Sequence, residues 1–160
     1  MKALYTFAIL IFVSMACLGQ SYSYQTLKEK FTDQPNVHSF SFNGWVGRMV
    51  LNLAGEQEFR HAVKDLNHIR FLTIPRSEFS QQQVSVTGFK NVLKKDGFEE
   101  LAFIRDHGDE ITLYLREGKN NKNRYFALIE EPDEIIAIEL KGYIDPRLLN
   151  PENTRLAFNQ

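Results

Sequence analysis

Apolar positions along the first half of the chain recur mainly at a helical period, and along the second half at a strand period. Residues 24–31 are expected to form a short, loosely attached helix. Residues 37–42, Val-His-Ser-Phe-Ser-Phe, alternate as a strand does. Asn43 then caps a helix whose stripe is Val46, Met49, Val50 and Leu53, and Gly55 stops it. Phe59, Ala62, Val63 and Leu66 repeat that spacing in a second helix. Residues 69–74 form a strand closed by Pro75.

The next stretch fits two patterns. Residues 83–87 alternate, but Val86, Phe89, Val92 and Leu93 lie on one helical face. Lys94 and Lys95 followed by Gly97 make a helix ending, since cations and glycine suit a C-terminus. A helix over residues 79–96 is therefore expected, with Gly88 inside it at about 1 kcal/mol. Four apolar runs follow at 101–105, 111–116, 125–130 and 135–140, with Gly108, Gly118 and Pro132 in the intervening turns. That spacing predicts an antiparallel meander. Its candidate core faces are Leu101/Phe103, Ile111/Leu113/Leu115, Phe126/Leu128 and Ile136/Ile138/Leu140. The opposite faces are also partly apolar, with Ile104, Tyr114, Ile129 and Ile135. Asp145-Pro146 opens a last short helix through Leu149. The order predicts an α+β fold: a mixed, mostly antiparallel sheet of about six strands, helices mainly on one face, and a C-terminal four-strand meander.

The N-terminus adds a compartment. Lys2 precedes an apolar run from Ala3 to Leu18, which breaks at Gly19-Gln20-Ser21. A charged start, an apolar middle and small residues at the end make a secretory signal peptide. Cleavage is expected after Gly19, with Ala16 nearly as good a site. This divides the chain into a leader, 1–19, and a single α+β domain, 20–160. No basic stop-transfer cluster follows, so no transmembrane segment is expected after cleavage. Ser14 stands where a lipidation motif wants Leu, Val or Ile, so lipid attachment at Cys17 is not expected. Cys17 is the sole cysteine, so cleavage after Gly19 leaves a chain with none, which folds without disulfides. With 43% hydrophobic residues and 13 phenylalanines, a core alone can hold a domain of this size. Lys2 is the one charged residue of the leader, so 19 basic and 20 acidic residues become a mature charge of −2. That balance argues against nucleic acid as a partner, because phosphate backbones need a basic field.

Candidate chemistry centres on Asp106, His107, Asp109 and Glu110. A transition metal needs ligands converging within about 2.3 Å of one point. Neighbours on an extended hairpin point to opposite faces, so Asp106 and His107 do not share a metal easily. Asp and Gly here supply what a chain reversal needs. His38, His61, His68 and His107 form no HExxH pair, and no G-x-S-x-G elbow or phosphate loop is present. Glu99-Glu100 and Glu130-Glu131 are adjacent on strands and diverge. Trp45 reads as core or interface. No catalytic, cofactor-binding or metal-binding residue is assigned, and no cofactor is expected.

Two long stretches, GFKNVLKKDGFEELAFIRDHGDEITLYLREG and RYFALIEEPDEIIAIELKGYIDPRLL, carry a family likeness. They resemble the bacterial envelope family known as domain of unknown function 4252. The shared pattern is a helix ending in a glycine-aromatic pair, Gly97-Phe98, then a short strand and a charged turn. An I-x-L-Y strand and two more strands follow, closing on Gly142-Tyr143-Ile144-Asp145. SFSFNGWVGRMVLNL and FRHAVKDLNHIRFLTI resemble its strand-helix-helix-strand portion. The resemblance covers most of the chain after the leader. It implies an exported protein of Bacteroidota-type Gram-negative bacteria, in some members lipidated and in many encoded near regulatory sigma factors. No activity or catalytic residue comes with it.

In a meander, alternate turns share one end of the sheet. Asp106, Asp109, Glu110, Glu130, Glu131, Asp133 and Glu134 should gather at one end. Lys94, Lys95, Arg116, Lys119, Lys122, Arg124 and Lys141 should gather at the other, diluted by Asp96, Glu99, Glu100 and Glu117. The acidic end suits a docking surface or a loose calcium site. The expected function is a non-enzymatic binding or structural module of the periplasm or cell surface, its partner an envelope protein or surface component. The alternatives are a small periplasmic hydrolase with an unrecognised carboxylate site, and an accessory to envelope-stress regulation.

Overall fold

The computed structural model describes residues 21–43, 65–106 and 108–144. Along them run α1 (Tyr22–Phe31), β1 (His38–Asn43), β2 (Asp65–Pro75), α2 (Arg76–Gln81), α3 (Val86–Lys95) and β3 (Glu99–Asp106). Then come β4 (Asp109–Arg116), β5 (Asn123–Glu130) and β6 (Glu134–Tyr143). The six strands make one sheet in the order β1-β2-β6-β5-β4-β3, with every neighbouring pair antiparallel. The α+β class and the C-terminal meander are as the sequence predicts.

The meander forms because each reversal is chemically prepared. Asp106 pairs with Asp109 across the tightest turn. Between β4 and β5, a Cβ on Gly118 would meet the Lys122 carbonyl oxygen at 2.1 Å, so the chain closes there only around glycine. At the start of the meander, Gly97 has φ +82°, which lets α3 end and turn directly into β3.

All three helices contribute to one core on one face of the sheet. Tyr24, Leu27 and Phe31 of α1, Phe79 of α2, and Phe89 and Leu93 of α3 meet Leu72, Ile74, Tyr114, Phe126, Leu128, Ile135 and Ala137. Phe31 stacks on Phe79 at 4.9 Å, and Phe126 receives both Phe89 and Phe98 at its faces and edge. Each such ring contributes about 1.5–3 kcal/mol by leaving water. The other face carries Ile69, Phe71, Ile136 and Ile138 half-buried, with Phe40 61% and Ile104 45% exposed.

Four expectations need correction. α1 is not loosely attached: Phe31 is fully buried, Tyr24 and Leu27 nearly so. The helix over 79–96 is two helices, α2 and α3, broken where Gln83 takes φ 54° and Ser85 caps α3. Leu66 lies in β2, not on a helix. Of the core faces, Phe126/Leu128 is right, but β4 and β6 turn Thr112/Tyr114 and Ile135/Ala137 to the helices instead. Leu101 and Phe103 are 44% and 48% exposed. Strands apolar on both faces leave the alternation without a preferred side. The helices expected around Val46 and Phe59, Trp45, and the helix after Asp145 lie outside the described residues.

Candidate functional site: a cationic row at one end of the sheet

Register decides what the helix-side face presents at the end where β2 and β5 begin. His68 on β2 stands opposite Lys141 on β6. Lys141 stands opposite Arg124 on β5, and Arg124 opposite Arg116 on β4. The row thus crosses four adjacent strands with a basic side chain on each. Neighbouring strands lie about 4.8 Å apart, and like charges directly opposite destabilise a sheet. The next row inward carries Arg70 and Glu139 as partners.

Among the described residues, Glu139 and Asp96 temper this charge, and both are fully engaged. Glu139 has no exposed surface. Its Oε2 accepts from Arg70 Nη1 at 2.6 Å, and its Oε1 accepts from Arg124 Nη1 at 3.1 Å and from the Ser21 backbone N–H at 2.8 Å. Asp96, at the end of α3, accepts from both the N–H and the hydroxyl of Ser23 at 2.8 Å. Arg116 donates to the Asp96 carbonyl at 2.8 Å and to its carboxylate. The N-terminus of α1 is therefore pinned over the sheet by these two acids, with Ser21 also capping it through Tyr24 N–H. The Arg70 guanidinium lies 6.0 Å from the Tyr24 ring, and that of Arg116 lies 4.9 Å from Phe98, so both stems are fixed by aromatic faces.

Lys141 and His68 are treated differently. Neither has a carboxylate at ion-pair distance among the described residues. His68 Nδ1 is buried with no hydrogen-bond partner. Burial pushes the His68 imidazole below its usual value, and Arg70, Lys141 and Arg124 push it further. Lys141 is likewise lowered by burial first, then by Arg124, Arg70 and Lys122. Arg124 is lowered by burial and by Arg116 and Arg70, against the pull of Glu139. Among the described residues, Arg70 and Arg124 pair with Glu139, and Arg116 with Asp96.

The other end is acidic, as the sequence predicts, but more nearly balanced. Glu110 and Glu130 are cross-strand partners on the helix side. Lys90 Nζ lies 2.7 Å from Glu130 Oε1, at an angle that makes an ion pair rather than a hydrogen bond. Arg105 pairs with Glu110. Among the described residues no three His, Cys, Asp or Glu side chains converge as a metal site would need. Asp106 and Asp109 flank the reversal, and His107 lies outside the described residues. A groove of about 280 Å³ between α1 and α3, floored by Leu27, Phe31, Phe89 and Val92, has no carboxylate in its lining.

The family described as Domain of unknown function (DUF4252) matches residues 25–150. The chain belongs to this family. Within this DUF4252 chain, the matched span takes in all six strands and every member of the cationic row. Comparison with curated proteins and with solved structures returns no match. No helix among the described residues is long and apolar enough to cross a membrane.

Sequence reasoning brought Arg116, Arg124 and Lys141 to one end, because consecutive hairpins place them there. It missed Arg70, His68 and Glu139. Those join the row only because β2 docks beside β6, a pairing between strands about 70 residues apart. The signal was the basic or acidic residue two positions from another on each strand: His68/Arg70 and Glu139/Lys141.

Proposed function

We propose that this chain is an exported bacterial envelope protein that binds an anionic envelope component at the cationic row and performs no catalysis. The leader of residues 1–19 directs export, and residues 20–160 act as one domain without a lipid anchor. The observation that carries the reading is the register His68–Lys141–Arg124–Arg116. A fold gains nothing in stability from like charges on the three neighbouring strands β6, β5 and β4, and functional sites are where such local conflicts persist. The family likeness supports the envelope setting.

One observation favours a hydrolase instead: Glu78 and Glu130 are both buried, and Glu78 Oε2 has no hydrogen-bond partner. Against it stands the Lys90–Glu130 pair, which commits one of the two to charge neutralisation.

Co-sedimentation with a purified envelope fraction tests the reading. Wild-type protein should pellet at low ionic strength and be released by salt, as screened charge pairs are. Lys141→Glu should remain in the supernatant. Equal pelleting of both proteins, or turnover in a broad hydrolase screen, would reject it.

A further inference from the structure

We infer that this chain pairs with a second copy of itself along the free edge of β3, antiparallel, with Phe103 on the two-fold axis. The inference stands apart from the reading of the cationic row.

The backbone makes the edge available. β3 ends the sheet order, and among the described residues its backbone bonds to β4 alone. The neighbouring hairpin fixes which way its groups point. Glu131 N–H donates to the Glu134 carbonyl at 3.0 Å, closing a two-residue turn. Bonded and non-bonded pairs alternate from there, which makes Glu110–Glu130 and then Ile104–Ile111 bonded pairs. Phe103 and Arg105 therefore send their N–H and C=O groups outward. A row of unpaired backbone groups is a template for another strand. The side chains do not shield it: Leu101, Phe103 and Ile104 are 44%, 48% and 45% exposed.

The order of residues selects a copy of the same strand. A register shift between Glu100 and Ala102 sets Leu101 apart as an extra residue. Glu100, Phe103 and Arg105 thus share the helix-side face, opposite Tyr114, Thr112 and Glu110 of β4. An acid, a phenylalanine and an arginine in that order are their own complement when reversed. With Phe103 on the axis, Arg105 stands across from the partner's Glu100, and this happens twice. Opposite charges so placed stabilise a strand pair. Glu100 has no ion pair among the described residues, and Arg105 pairs with Glu110 alone. On the outer face Ile104 meets the partner's Ala102. β1, the other edge, reads His-Ser-Phe-Ser-Phe-Asn and has no acid to offer a reversed copy. Two-fold pairing uses each β3 edge once, so the assembly closes at a dimer with one continuous sheet.

Sedimentation velocity of the full chain tests the pairing. A single strand-to-strand contact falls in the small, weak class of interfaces, so the range should run from about 5 to about 500 µM. Monomer should convert to dimer across it. Glu100→Arg and Arg105→Glu should each weaken the dimer about tenfold, and the double exchange should restore it. Circular dichroism confirms that each variant is folded. Cross-linking in a Cys17→Ser background tests the register. Phe103→Cys should oxidise to a linked dimer, because bonded antiparallel pairs hold their Cα atoms about 5.5 Å apart, within disulfide reach. Arg105→Cys lies about 13 Å from its own copy and should stay reduced. A chain that stays monomeric to the highest concentration would overturn the inference. So would a link through Phe40→Cys in place of Phe103→Cys, or a double exchange that restores nothing.

Discussion

Glu139 is the residue around which the basic end is organised. It sits with no exposed surface on the central strand β6, holding Arg70, Arg124 and the first turn of α1 through separate hydrogen bonds. Glu139→Gln keeps the shape but strips the buried Arg70 of its carboxylate in a poorly solvated place. It should cost about 3–5 kcal/mol in urea unfolding, the range for breaking a buried pair from one side. Tyr114 presents the opposite case. Its hydroxyl is buried without a partner, so Tyr114→Phe should be neutral or stabilising by about 1 kcal/mol. Burial also pushes the Tyr24 and Tyr114 phenols up to about 12 from an ordinary 10. Their folded state favours the neutral phenol. The resulting stability is complete below pH 10 and is lost as pH rises from 10 towards 12. Melting temperatures measured across that window should fall steeply, and Tyr114→Phe should fall less. None of these residues announced its role in the sequence. A glutamate four from a tyrosine on an apolar strand looks like a solvated position until its cross-strand partner is known.

At the scale of elements, α2 and α3 show why one amphipathic stripe became two helices. Val86, Phe89 and Leu93 were legible as a face, and so was the Lys94-Lys95-Gly97 ending. The start was not, because Ser85 reads as one more polar residue in a helix. Its hydroxyl accepts from Gly88 N–H at 2.9 Å and so begins α3 there. Ser85→Ala should therefore cost about 1 kcal/mol. The same cap explains Gly88, since a Cβ at that position would lie 2.8 Å from Ser85 Oγ. Gly88→Ala should consequently fail to gain the roughly 1 kcal/mol that helix propensity promises. Chemical denaturation of the two single variants and the double variant checks both, and the alanine at 88 should become favourable once Ser85 is gone. The strands were legible for a complementary reason. Gly108, Gly118 and Pro132 mark their ends, while Ile104, Ile129 and Ile136 make both faces apolar and hide which side meets the helices.

Across the whole molecule, the sheet order sets the charge map. Local hairpins alone give a meander with one acidic and one basic end, and that much followed from spacing. The long-range pairing of β2 with β6 then adds His68 and Arg70 to the basic end, and α1 closes over it through Ser21 and Ser23. The acidic end is offset by Lys90 and Arg105, but Lys141 at the basic end has no such counterpart among the described residues. If this imbalance is kept for a ligand, it lowers the stability of the free protein, as binding sites commonly do. The most direct measurement is thermal unfolding of wild type and Lys141→Met at pH 7, at low and at high sodium chloride. Methionine retains the aliphatic stem and removes the charge. The account predicts that Lys141→Met melts higher than wild type at low salt, and that the gap narrows as salt screens the row. A variant that melts lower than wild type at low salt, or a gap that salt leaves unchanged, would contradict it.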